Sequence, residues 1–228
     1  MEAIVITDKN CPECFNVAPM VANLKNANVV LTNQRELDRA DDEAKALISQ
    51  YAIAKLPALI LRGEVQKNTE LKPTLARMGD ITDTTFVLRQ IGGPYVVAAT
   101  GEVKGKTELT LISAAACAEC YDVTQHPIIL SQFGLNPTIT NVDAASPEGR
   151  AVRRQYQITL VPTFILTGEV SEYPALVNIW PQVGVVKDGA YVFTAGVSAM
   201  GTYQDLATGQ TVSPSQAATS AGAPPPKQ

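Results

Sequence analysis

No stretch of this 228-residue chain is rich in lysine and arginine, and none is long and apolar. Without clustered basic side chains nothing neutralises phosphates, which excludes nucleic acid and an anionic lipid surface as partners. The net charge of −4 agrees with that. The longest apolar runs, such as 95–99, fall far short of the roughly 20 residues that span a bilayer. A strand-like run, Ile4-Val5-Ile6, begins almost at once, with no room before it for a leader. The chain as it stands is therefore expected in the cytoplasm. The alternative is an extracytoplasmic parent whose signal or anchor was trimmed, and only then is membrane contact expected. A spare cysteine is missing too. All four fall in two Cys-x-x-Cys pairs, Cys11/Cys14 and Cys117/Cys120, leaving none to close long structural loops. That usage points to redox or metal chemistry.

What is present is a repeat. Cys11-Pro-Glu-Cys14 matches Cys117-Ala-Glu-Cys120 at a shift of 106 residues, and the register beyond is 105. Residues 51–65 then match 156–170 with 8 of 15 positions identical. Gly79 meets Gly184, Asp83 meets Asp188, and Phe86-Val87 meets Tyr191-Val192. The period is too long for a solenoid and suits duplication of a whole domain.

Each half reads as strands alternating with helices, an α/β class. Apolar runs 4–7 and 109–113 predict buried strands. Val17, Met20, Val21 and Leu24 share one helical face. Strands follow at 28–32 and 137–142. A helix with an acidic first turn is expected over 41–51. Its counterpart opens at Ser146-Pro147-Glu148, with serine as the cap. Central strands are predicted at 58–61 and 163–166, helical pieces at 71–78 and 175–183, and strands at 86–88 and 191–193. Trp180, with Leu176 and Val183, reads as core, and Asp83 and Asp188 as turn residues. The domains are placed at 1–98 and 107–207, joined by a linker at 99–106. The Thr/Ser/Ala-rich stretch 208–228, closing in Pro224-Pro225-Pro226, is expected to be a disordered tail.

A thiolate attacks a disulfide, and a helix N-terminus lowers a thiol's pKa. Placed at such an entrance, Cys11 and Cys117 are the expected exposed nucleophiles, and Cys14 and Cys120, one turn behind, the resolving thiols. Pro12 favours a helix start, whereas Glu13 and Glu119 disfavour the thiolate. Pro57 and Pro162 each precede a central-strand run, where a sheet normally needs a backbone donor. A cis bond there makes an exposed lip beside the cysteines. The backbone of Leu56 and Val161 would then pair with an extended substrate. The lone histidine, His126, reads as ending a helix at His-Pro.

With these residues in place, the chain resembles the thioredoxin superfamily over residues 1–66 and 107–170. Two such halves resemble the tandem protein disulfide oxidoreductases, which are similar to protein disulfide isomerase in activity. The resemblance implies two tandem thioredoxin-like domains, each a central mixed sheet flanked by helices. It implies that Cys11, Cys14, Pro57, Cys117, Cys120 and Pro162 are the functional positions. It places Pro19 as the kink proline of the active-site helix, whereas the second half has Pro127 two residues later. Asn10 and Ala116 replace the family's tryptophan, and Val5 and Leu111 its buried carboxylate. Expected partners are protein or peptide thiols and disulfides and an upstream reductase-type electron donor. No cofactor beyond the disulfides is expected, and no metal. Two other readings stay open: a non-enzymatic peptide-binding module with redox-switch cysteines, and a structural domain whose four cysteines hold zinc.

Overall fold

Both faces of Glu2–Thr7 (β1) are buried, because successive side chains alternate across a strand. Ala3 and Val5 pack with Val17, Val21, Leu24 and Leu75 on one side of the sheet. Ile4 and Ile6 pack with Ala44 and Leu47 on the other. These contacts come from a computed structural model that describes residues 1–26, 29–69 and 71–214. The chain divides into two compact units, Met1–Gly105 and a second beginning at Lys106.

In the first unit β1 is followed by Ala18–Asn26 (α1), Asn33–Asp38 (β2), Asp42–Gln50 (α2), Lys55–Leu56 (β3) and Ala58–Arg62 (β4). Then come Lys72–Met78 (α3), Gly79–Ile81 (β5), Thr85–Leu88 (β6), Tyr95–Val97 (β7) and Val103–Lys104 (β8). The main sheet has the order β2-β1-β4-β6-β5. β1 runs parallel to β2 and antiparallel to β4, so the sheet is mixed. A small second sheet has the order β3-β7-β8.

The second unit repeats this plan. Its elements are Thr107–Ser113 (β9), His126–Ser131 (α4), Thr138–Asp143 (β10), Pro147–Tyr156 (α5), Leu160–Val161 (β11) and Thr163–Gly168 (β12). Pro174–Val183 (α6), Gly184–Lys187 (β13), Ala190–Phe193 (β14), Val197–Met200 (α7), Tyr203–Asp205 (β15) and Gln210–Val212 (β16) complete it. The sheet orders are β10-β9-β12-β14-β13 and β11-β15-β16. Ser146 caps α5 by accepting from the Gly149 N–H at 2.9 Å, as the sequence predicts. Trp180 lies in the core with Leu176 and Phe164. Among the described residues no helix is long and apolar enough to cross a membrane.

Three expectations are corrected. The strand expected at 28–32, of which 28 lies outside the described residues, is instead β2. That edge strand is polar because much of it faces solvent, so the apolar Val29-Val30-Leu31 drew the strand reading to the loop before it. The expected linker at 99–106 holds the turn of a hairpin and its strand β8. The expected tail at 208–228 opens on the turn and second strand, β16, of another such hairpin, and only from 215 onward does it lie outside the described residues.

Candidate functional site

Each cysteine pair closes on itself as a disulfide, Cys11–Cys14 and Cys117–Cys120. Both pairs sit in a tight turn just beyond the first strand of their unit. The Cys11 N–H donates to Asp8 O at 3.0 Å and the Cys14 N–H to Cys11 O at 3.2 Å. In the second unit the Cys117 N–H donates to Ala114 O at 2.8 Å and the Cys120 N–H to Cys117 O at 3.2 Å.

A carboxylate at the end of the neighbouring parallel strand holds each turn in place. Asp38 accepts from the backbone of Lys9 at 3.0 Å and Ala40 at 2.9 Å. Asp143 accepts from Ala115 at 2.8 Å and Ala145 at 2.9 Å. These backbone donors hold both carboxyls below the ordinary aspartate value. The first unit adds Asp8, whose Oδ2 accepts from Arg39 Nε at 2.7 Å. Burial pushes Asp8 up, but the Asn10 N–H and the Arg39 guanidinium outweigh it and leave the carboxyl lowered.

In the first unit the prolyl loop meets the cysteines. Leu56–Pro57 and Val161–Pro162 are both cis, as expected. Cys11, Cys14, Leu56 and Pro57 line one cleft of about 300 Å³, together with Asp8, Phe15 and Val96. In the second unit the connection runs through a neighbouring residue: the hydroxyl of Tyr121, which follows Cys120, donates to Pro162 O at 2.8 Å.

The helix-entrance geometry is not what the structure shows. α1 begins at Ala18 and α4 at His126, several residues after the cysteines. In a continuous helix the Phe15 N–H would reach back to Cys11 O. Instead it donates to Pro94 O at 2.7 Å, and the Tyr121 N–H likewise donates to Thr202 O at 2.8 Å. Asn16 and Asp122 side chains then accept from Ala18 and Thr124 and restart the backbone. Cys11 is buried, 6% exposed, and so is not the solvent-facing sulfur expected, whereas Cys117 is half-buried. Pro19 and Pro127 are second in their helices, where a missing N–H is harmless, and neither makes a kink. His-Pro opens α4 and does not end a helix.

The open edge expected at Leu56 and Val161 is also occupied. Leu56 pairs with Val96 and Val161 with Gln204, each in an antiparallel ladder with the unit's own terminal hairpin. The two hairpins share the pattern Tyr-x-x-x-Ala-Thr-Gly, starting at Tyr95 and at Tyr203. Gly101 and Gly209 take φ of 79° and 73°, and their N–H groups close on Val97 O and Asp205 O, both at 2.8 Å. This repeat, at a shift of 108, was the signal in the sequence for the hairpins. The shared Asp38 and Asp143, at a shift of 105, was the one for the turn clamps.

His126 occupies the position that Met20 holds in the first unit, enclosed by Tyr121, Phe164 and Phe193. The Tyr121 proton goes to Pro162 O, so His126 Nε2, 3.1 Å from the phenol oxygen, carries a hydrogen and donates it. Burial pushes the ring's pKa down from 6.5 to about 4. The unfolded chain therefore binds the extra proton between those values. Stability contributed by the neutral ring is complete above pH 6.5 and declines toward pH 4, by about 3 kcal/mol in all. Urea unfolding followed by emission of Trp180, the single tryptophan, should show this decline, and His126→Met should remove it.

Compared with known proteins, the chain matches no family model, and no curated protein matches it significantly.

Proposed function

We propose that the chain is a thiol–disulfide oxidoreductase that exchanges disulfides with protein or peptide substrates through Cys11–Cys14 and Cys117–Cys120. The observation that carries this reading is the cleft in which both cysteines of the first unit meet Pro57. The strand order supports thioredoxin-like units: β1 parallel to β2 and antiparallel to β4, β4 antiparallel to β6, and helices on both faces. So does the placement of a proline immediately before β4 and β12.

In the oxidising direction a substrate thiolate attacks the sulfur of Cys11 and breaks the Cys11–Cys14 bond. Cys14 leaves as a thiolate and takes up a proton. A second substrate thiolate then attacks the substrate sulfur of this mixed disulfide. Cys11 leaves as a thiolate, the substrate gains a disulfide, and two electrons have passed to the protein. The reverse sequence has Cys11 as nucleophile and Cys14 as resolving thiol. Cys117 and Cys120 take the same roles in the second unit. Leu56 and Pro57 line the cleft that an incoming thiol enters, and Val161 and Pro162 hold the matching place in the second unit, with the strand edges of Leu56 and Val161 paired to each unit's own hairpin. No bound cofactor is required, and a reductase-type donor would supply electrons for net reduction.

The test is insulin reduction driven by dithiothreitol, read as turbidity. Turnover above the uncatalysed rate is expected. Peptide binding without turnover would favour a binding module with switch cysteines. One equivalent of zinc bound under reducing conditions would favour a structural metal site.

A further inference from the structure

The two terminal hairpins lie on the same edge of their units but are built differently. In the first, Val96 and Ala98 belong to the core beneath the main sheet, with Leu56 and Cys11. The Lys55 ammonium lies over the Tyr95 ring at 3.8 Å. The hairpin's turn rests on the Arg39 side chain, and a Cβ added at Gly101 would come within 2.5 Å of Arg39 Nη2. In the second, Gln204 and Leu206 stand in the places of Val96 and Ala98; both are half-buried, Leu206 at the margin of the core, and the returning Gln210 and Thr211 are exposed. A Cβ added at Gly209 would meet nothing within 4 Å, so this turn overhangs open space.

Tyr203 and Leu206 pack half-buried against the cores on either side of this pair, so what the second hairpin gives at Val161 itself is main-chain hydrogen bonding. The Leu206 N–H donates to Thr159 O at 2.7 Å, which by antiparallel alternation makes Gln204–Val161 the next hydrogen-bonded pair. Thr202 O accepts from Tyr121, the residue after Cys120. Any extended polypeptide can offer the same groups.

We propose that β15–β16 is a displaceable cover and that an extended, cysteine-bearing polypeptide takes its place on Val161, next to Cys117–Cys120. β7–β8 is a fixed wall, so the first unit exchanges only with thiols that enter its cleft without strand pairing. This rests on the disulfides being exchange centres, as proposed above.

The test uses the full chain and two probes, dithiothreitol and an extended peptide with one cysteine, with the reduction of each disulfide followed by thiol trapping and mass spectrometry. Gln204→Pro removes the N–H that faces Val161. It should speed reduction of Cys117–Cys120 by the peptide about fivefold, the change expected from one lost ladder hydrogen bond. Its rate with dithiothreitol, and both rates at Cys11–Cys14, should stay as in the wild type. An unchanged peptide rate, or equal acceleration by both probes, would overturn the cover while leaving the exchange reading intact. Failure of insulin turnover would overturn the exchange reading instead. Should the proline variant not fold, hydrogen exchange on the unaltered chain decides. The Leu206 amide should exchange at least about tenfold faster than its counterpart Ala98, which donates to Ala54 O. Equal or reversed rates would overturn the proposal.

Discussion

Replacing Cys11 and Cys117 together with serine is expected to lower disulfide exchange at least about a hundredfold, to the uncatalysed rate. A serine hydroxyl forms no mixed disulfide, so the exchange step is removed and not merely slowed. Each single variant retains the other unit's pair, and with dithiothreitol as the reductant both should keep measurable turnover. With a polypeptide substrate the Cys117→Ser variant should lose more than Cys11→Ser, since the first unit's lip is walled by Val96. Insulin turbidity for the four chains, wild type included, checks this. A double variant with wild-type turnover would place the chemistry elsewhere.

The largest stability effect is expected at Trp180. Its ring is 2% exposed and meets Phe164 and Tyr191 edge-on at 5.9 and 5.2 Å between centroids. Its indole N–H donates to Val185 O at 3.2 Å. Trp180→Ala leaves a void among the core side chains and removes that hydrogen bond, a cost of about 3–5 kcal/mol. Urea unfolding followed by far-ultraviolet circular dichroism measures it. The first unit shows the same site filled by smaller side chains. There Leu75 and Leu59 stand where the second unit has Trp180 and Phe164. A cavity of about 170 Å³ remains between α1 and α3, lined by Leu59, Leu71 and Leu75. Leu75→Ala should therefore cost less, about 2–3 kcal/mol, because part of the void already exists.

The buried strands, the helices between them and the two cis prolines could be read from the sequence, because burial on two faces writes continuous apolar runs and the duplication repeats them. Edge structure could not. β2 pairs on one side only, and its Asn33, Gln34 and Glu36 carry no apolar signature. The hairpins pair with β3 and β11 across some forty residues of chain, and local periodicity holds no trace of such a partner. For that reason the Ala-Thr-Gly turns at 99–101 and 207–209 read as linker and tail. The cysteine turns were misjudged for a related cause. Whether Phe15 and Tyr121 continue a helix depends on Pro94 and Thr202, which claim their N–H groups from far along the chain.

The order of the elements also has a consequence for biosynthesis. Cysteines enter each unit near its beginning, whereas the hairpin that lies against them is the last piece made. A nascent chain thus shows each Cys-x-x-Cys turn to the cell's oxidants and reductants before its cover has been translated. Either redox form of the pair is thus open to each unit before its final strand arrives.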